Sequence, residues 1–395
     1  MGELLRRYWQ PVALAEELPA GGAPVPVQAM GEDLVLFRDD KGQIGLLGLH
    51  CSHRGADLSY GRLEDEGLRC IYHGWLYDVR GRCLEQPGEP SGSTFNERIR
   101  HGAYPCQERG GLILAYMGPG EAPLLPDYEF LSAPADHRTV TKVFHECNFQ
   151  QSSEGNIDQA HVSFLHRVAR DGGDMNYLVE DTSPSLDPEE TDYGLRIYSV
   201  RRVEGDKQFV KISNFVMPNF AAVPGGGRGD GYQVNWHVPI DDTHHWKFVY
   251  TYRRNTPIGP PSPHGTRAEV DSQYHLIRNK GNRYLQDRDE MKSKSFVGLA
   301  VGFNAQDACA TEGAGPIQDR TDEHIAYTDR VISASRALLF RAMRDVEEGR
   351  DPQHVIRDPA ANGPPEILVR TDVILGDVPW REHWRQSAPL RLPDN

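Results

Sequence analysis

Two short segments concentrate the ligand chemistry of this chain: Cys51-Ser52-His53 and, sixteen residues later, Cys70-Ile71-Tyr72-His73. Each delivers one thiolate and one imidazole. Such a mixture suits a 2Fe-2S cluster in which two thiolates hold one iron and two neutral imidazoles the other, because exchanging thiolate for imidazole removes negative charge and raises the reduction potential. Cys51 and Cys70 would then bind one iron, His53 and His73 the second. Gly55 and Gly74 permit tight bends that turn amides toward the sulfurs, and Trp75 can shield the group from water. The same four donors would also suit a structural zinc site.

A second set lies in Glu154-Gly155-Asn156-Ile157-Asp158-Gln159-Ala160-His161-Val162-Ser163-Phe164-Leu165-His166. Five residues turn an ideal helix through about 140°, so His161 and His166 can share an ion only where the helix ends or bulges between them, and that distortion is predicted. The His-Glu-x-x-His string of zinc peptidases does not occur. Two histidines and one carboxylate leave open positions on Fe(II), the facial arrangement of non-haem iron oxygenases. Alone, the pattern is equally that of a solvent-facing helix.

Cys51-Ser52-His53-Arg54-Gly55 and Cys70-Ile71-Tyr72-His73-Gly74-Trp75 resemble the Rieske motif of ring-hydroxylating oxygenase α subunits. The opening residues Met1 to Pro11 and the stretch Gly31 to Arg38 are similar to phthalate 4,5-dioxygenase-type oxygenases, and the likeness runs through the catalytic half. The resemblance implies that His161 and His166 bind a mononuclear Fe(II). It implies a third ligand in the segment Gln306 to Ile317, where Asp307 is favoured over the competing acids Glu312, Asp319 and Asp322. It further implies that Asp158 joins His161 to His73 of the partner subunit, orienting the imidazoles and giving a short electron route. Such a head-to-tail contact must close on itself, hence a homotrimer or stacked trimers. One departure stands out: Phe149 occupies a position where this family often has Trp.

The chain has 43 Lys and Arg against 57 Asp and Glu, a formal net charge of −14. That balance argues against nucleic acid or an anionic membrane as partner. An anionic substrate would need local cations, for which Arg196, Arg201, Arg202 and Lys211 are candidates, although strand alternation alone leaves inward and outward faces undecided. The N-terminus lacks an apolar signal region, no apolar run approaches the length of a membrane span, and Arg6 spoils a myristoylation signal, so a cytoplasmic protein is expected. Cys83, Cys106, Cys147 and Cys309 are scattered, as free core thiols are.

The elements that must position these residues predict an α+β chain. Its expected parts are an N-terminal segment, 1–24, packing on the catalytic domain; an all-β Rieske domain, 25–122; and a catalytic domain, 123–395, with an antiparallel sheet flanked by helices in a helix-grip-like arrangement. Strands are expected at Val25 to Val27, Leu34 to Phe37, Ile44 to Leu49, Leu76 to Val79, Leu112 to Met117, Lys207 to Met217 and His245 to Tyr252. Ala268 to Lys294 is expected to form one helix or a helix pair. Thr328 to Glu348 reads as an amphipathic packing helix through Val331, Ala334, Leu338, Leu339, Ala342 and Val346, stopped by Gly349.

The expected function is that of a terminal oxygenase using O2 and electrons from NADH. No Gly-x-Gly-x-x-Gly is present, so a separate ferredoxin-type reductase, carrying flavin and 2Fe-2S, is implied. The resemblance implies an aromatic carboxylate substrate, oxidised by cis-dihydroxylation or by O-demethylation of a methoxylated acid. A Rieske electron carrier would need little of the chain beyond the first ~120 residues, which argues against it. A zinc-stabilised binding module is the remaining alternative.

Overall fold

The computed structural model describes residues 2–64, 66–168, 174–225, 230–260, 265–300 and 302–386. In the N-terminal part, short β-prone runs pair into three small antiparallel sheets. One joins Val25–Ala29, Glu32–Arg38, Ile44–Gly48 and Ala103–Tyr104; another joins Arg62–Glu64, Gly67–Arg69, Leu76–Tyr77 and Cys83–Glu85; the third joins Trp9–Leu14, Leu112–Tyr116 and Cys106–Arg109. The strand expected over Leu76 to Val79 stops at Tyr77. There Asp78 accepts the amides of Arg80 and Arg82 and draws the chain into a turn completed by Gly81 at φ +73°.

The first residues touch both halves of the molecule. Leu4 and Tyr8 pack beside Val331 and Leu338, while Val12, Ala13 and Leu18 enter the core formed by Leu34, Leu36 and Leu46.

The second half is built on an eight-stranded antiparallel sheet. Its strands lie in the spatial order Arg138–His145, His245–Tyr252, Tyr232–Pro239, Phe220–Val223, Lys207–Val216, Gly194–Val203 and Ser185–Glu190, and Arg370–Leu375 pairs with the first half of Lys207–Val216. Period-two alternation gives this sheet two faces. Trp236, Phe248, Tyr250 and Tyr252 form an aromatic core on one side. His237, Lys247 and Val143 are register partners on the other side, which carries the helices and the metal-ligand candidates.

Three helices matter for the site: α1 (Phe149–Ile157), α2 (Phe303–Gly313) and α3 (Arg330–Glu347). Helix α1 lies against the strands Tyr232–Pro239 and Phe220–Val223 and packs on both other helices. Helix α3 buries Val331, Leu338, Leu339 and Ala342 against Ile157, Leu186 and Leu195, as its sequence period predicts, and ends before Gly349 at φ +76°.

The long helix expected over Ala268 to Lys294 does not form. The segment holds short 3-10 turns, Thr266–Glu269 and Lys280–Leu285, and a single α turn, Glu290–Ser293. Asp271, Asn282 and Asp287 take backbone amides with their side chains, offering the backbone an alternative to helix. Tyr274, Arg283, Tyr284 and Leu285 adopt positive φ, which no helix accommodates. Among the described residues, no helix is long and apolar enough to cross a membrane.

Candidate metal centres

The two cysteine loops repeat one backbone design. The Cys51 amide donates to the Ala56 carbonyl at 2.9 Å and Gly55 returns a bond to the Cys51 carbonyl at 2.8 Å; Cys70 to Trp75 and Gly74 to Cys70 do the same at 2.8 and 3.0 Å. Gly55 and Gly74 sit at φ +72° and +76°, and a Cβ on Gly74 would meet Pro87 at 2.7 Å. Arg69 ties the second loop down through the Gly74 carbonyl. Both cysteines are 3% exposed, whereas His53 and His73 lie at the rim with ring centroids 4.4 Å apart. Trp75 stacks on His53 at 4.5 Å and Tyr77 brings its hydroxyl within 3.2 Å of the Cys51 sulfur. Partial burial, the charge of His53 and the charge of Arg54 hold His73 below the ordinary imidazole range, the neutral form that ligates metal.

Among the described residues, the three or more His, Cys, Asp or Glu ligand atoms gathered within 4.8 Å belong to His161, His166 and Asp307. The buried pair Cys51 and Cys70 and the rim pair His53 and His73 fit a donor set divided between two irons, one taking the thiolates and the other the imidazoles.

In the second half, helix α1 ends at Ile157, before either histidine. Asp158 caps its C-terminus, and its side chain accepts the Ala160 amide at 2.7 Å. A 3-10 turn over His161–Ser163 and the irregular Phe164 follow. The end of the α-helix thus precedes the pair instead of falling between them, and the tighter turn swings both rings to one side. His161 Nε2 and His166 Nε2 stand 3.2 Å apart. Asp307, from the first turns of α2, points Oδ1 at them from 3.8 and 3.0 Å. Burial would raise the Asp307 carboxyl, but His166, Lys247 and His161 outweigh it and hold it far below the usual carboxylate range. Three acceptor atoms aimed at one point, in a chain of ionised carboxylate and imidazoles, fit a divalent iron with open positions.

The rival acids are engaged elsewhere. Glu312 accepts from Tyr284 and His145, Asp319 caps Thr321, and Asp322 lies exposed in a 3-10 turn. Asp158 places Oδ2 3.6 Å from His161 Nδ1, behind the histidine and away from Asp307.

Sequence reading missed two supports. Gln306 accepts from His166 Nδ1 at 2.7 Å while its amide nitrogen donates to the Ala300 carbonyl, so the His166 proton is fixed on Nδ1 and Nε2 is left bare. Lys247, 3% exposed, points Nζ at Asp307 Oδ2 from 3.7 Å. Gln306 adjoins Asp307 in sequence and was within view; a lysine in an apolar strand was the only hint of Lys247.

The four candidate cations divide by face. Arg201 donates to the Gln159 carbonyl, beside the histidine segment. Lys211 alternates with Phe209, which packs on Val162, and with Ser213, which meets Gln159, so it shares that face. Burial, reinforced by Arg201 and opposed by Asp158, pushes Lys211 down to about 8. Arg196 lies on the opposite face over the Trp384 ring, and Arg202 is exposed.

Residues 8–99 match the Rieske 2Fe-2S domain family and residues 115–389 the LigXa C-terminal domain like family. A cluster domain joined to such a catalytic domain defines the terminal component of a Rieske non-haem iron oxygenase, a class that uses a mononuclear iron and electrons from NAD(P)H through a reductase. Within that class the chain belongs to the phthalate 4,5-dioxygenase-like α subunits. It is 35% identical to the phthalate 4,5-dioxygenase oxygenase subunit of Pseudomonas putida, over 97% of this chain and 91% of that one. It is 32% identical to the 5,5'-dehydrodivanillate O-demethylase oxygenase subunit of Sphingobium sp., over 92% and 81%. The fold is also that of the terminal oxygenase of carbazole 1,9a-dioxygenase from Novosphingobium sp. KA1, with TM-score 0.58 at 22% identity over 85% and 93% of the two chains.

Proposed function

We propose that this oxygenase component hydroxylates an aromatic carboxylate by cis-dihydroxylation. The observation that carries the reaction class is the meeting of His161, His166 and Asp307 at 3.0 to 3.8 Å in a chain that also has a Rieske domain. The substrate class is supported by relatives named for phthalate and for 3-chlorobenzoate, and by the buried Arg201 and the half-buried Lys211 on the metal-bearing face of the sheet. A second reading, O-demethylation of a methoxylated aromatic acid, is favoured by the similarity to a demethylase component.

In this scheme Cys51 and Cys70 hold one iron of the cluster and His53 and His73 the other, while His161, His166 and Asp307 hold the mononuclear iron. When bound, these groups store an electron and activate O2. The remaining work belongs to the chain. Gln306 and Asp158 orient the two imidazoles, Trp75 keeps water from the cluster edge, and Asp158 links His161 to His73 of the partner subunit. The relay implies a closed homotrimer, alone or stacked, served in the cytoplasm by a flavin and 2Fe-2S reductase.

Metal analysis with electron paramagnetic resonance, followed by product analysis under isotopic O2 with benzoates, phthalates and methoxylated aromatics, tests the proposal. Two label atoms in a dihydrodiol support dihydroxylation, and formaldehyde release marks demethylation. A reduced Rieske signal without mononuclear iron would leave only an electron carrier. Replacing Asp158 by Ala is expected to abolish most turnover with both metal centres still loaded.

A further inference from the structure

Lys247 is the third residue of its strand, between Val143 and His237 in register, with 3% of its surface exposed. A buried ammonium is costly without a countercharge. Among the described residues, the one carboxylate within 4.0 Å of its Nζ is Asp307, through Oδ2 at 3.7 Å. Among the described residues, no other carboxylate comes as near, although the charge of Glu269 also acts on Lys247 from beyond 4.0 Å. His237 is held neutral by burial, then by His245 and Lys247. His245 donates Nδ1 to the Cys147 carbonyl, so its Nε2 accepts from His237 Nδ1, and the neutral His237 keeps a bare Nε2 that carries no charge. Glu269, the next acid toward Lys247, is bound by Asn304 at the start of α2.

The two oxygens of Asp307 therefore face different groups. Oδ1 faces both imidazole Nε2 atoms; Oδ2 faces the ammonium. A carboxylate can meet a metal through one oxygen or both, and a point charge fixed on the second oxygen opposes its swing toward the metal. We propose that Lys247 is a positioning residue that confines Asp307 to one-oxygen ligation, keeping a further position at the metal open. The proposal rests on the reading of His161, His166 and Asp307 as the ligand set.

The test loads Co(II) into the mononuclear site of the holoprotein, with the Rieske cluster in place, and compares wild type with Lys247→Met and Lys247→Arg. In Lys247→Met, Oδ2 is free to bind, so the Co(II) d–d bands should shift and weaken as the coordination number rises, and kcat should fall about tenfold or more with KM little changed. Lys247→Arg should restore the wild-type spectrum, because a guanidinium also holds Oδ2. An unchanged spectrum in Lys247→Met overturns the proposal, as does a rise in KM with the spectrum intact, which would make Lys247 a substrate-holding group. Should Met at this position prevent folding by circular dichroism, Lys247→Gln is read by the same criteria. Failure of the wild type to take up Co(II) would instead remove the ligand assignment itself.

Discussion

At the scale of single residues, the two cysteine loops were legible because each arm of the ligand set sits in one turn of five residues and needs no distant chain to complete it. The histidine pair was local too, but its spacing alone suited a solvent-facing helix equally well, and the resemblance pointed to it as a pair of ligands. Asp307 lies 141 residues beyond His166 in sequence, and only the resemblance pointed to it. What lay behind the ligands was opaque. The bond from His166 to Gln306 depends on the register of α2 against the histidine turn, which no local pattern encodes. It predicts that Gln306→Leu leaves the cluster signal intact but weakens Fe(II) or Co(II) binding by about 10- to 100-fold, because His166 loses the acceptor that fixes its tautomer. Competition with a chelator measures this. Unchanged affinity would show that Ala300 and Gln306 merely pack.

At the scale of elements, the strands were read well where alternation met clear turn residues, as in His245–Tyr252, and poorly where Asx side chains compete for the backbone, as in 268–294. The apolar period of α3 gave its buried face, but its polar side holds the tie that matters most for the site. Arg336 grips Glu154 through two bonds of 2.8 Å and grips Glu323 as well, while Arg320 adds a third bond to Glu154. Glu154 is 6% exposed and stands one turn before Asp158, so this ion cluster fixes the end of α1 from which the histidine turn departs. Removing Arg336 leaves the buried Glu154 with Arg320 and Gln150 as its remaining partners. Arg336→Met should therefore cost about 1–3 kcal/mol in urea unfolding, and the double change with Glu154→Gln should recover part of it. Equal losses in the single and double variants would count against the coupling.

At the scale of the whole molecule, the two halves meet along a seam where Trp9 donates to the Pro123 carbonyl and Tyr8 to the Gln353 carbonyl. His354 closes that seam at φ +68°, with Nε2 2.8 Å from the Tyr128 hydroxyl. Burial, only partly opposed by Asp192, pushes His354 down to about 4. An unfolded histidine titrates near 6.5, so the folded form binds its proton less readily. Stability from this group is thus complete above about pH 6.5 and is lost as pH falls toward 4, by up to about 3 kcal/mol. His354→Asn, which tolerates the left-handed backbone, should flatten that part of the pH profile in urea midpoints, and a slope identical to wild type would assign the acid loss elsewhere.

Electron flow is the other property of the assembly. Asp158 is about a quarter exposed, His53 is exposed, and Ile71 and Tyr72 present bare apolar surface beside His73, at 59% and 55% exposure. Both ends of the proposed relay therefore open outward, as they must if the donor cluster and the accepting iron belong to different copies. Two inactive variants separate this from transfer within one chain. Cys70→Ser removes the cluster and Asp307→Ala removes the mononuclear iron, so each alone should be near zero. Co-expressed, they form mixed rings in which an intact iron site beside an intact cluster arises at about one site in four, so about a quarter of wild-type turnover should return. Transfer confined within a chain predicts none, because no single chain in the mixture carries both centres.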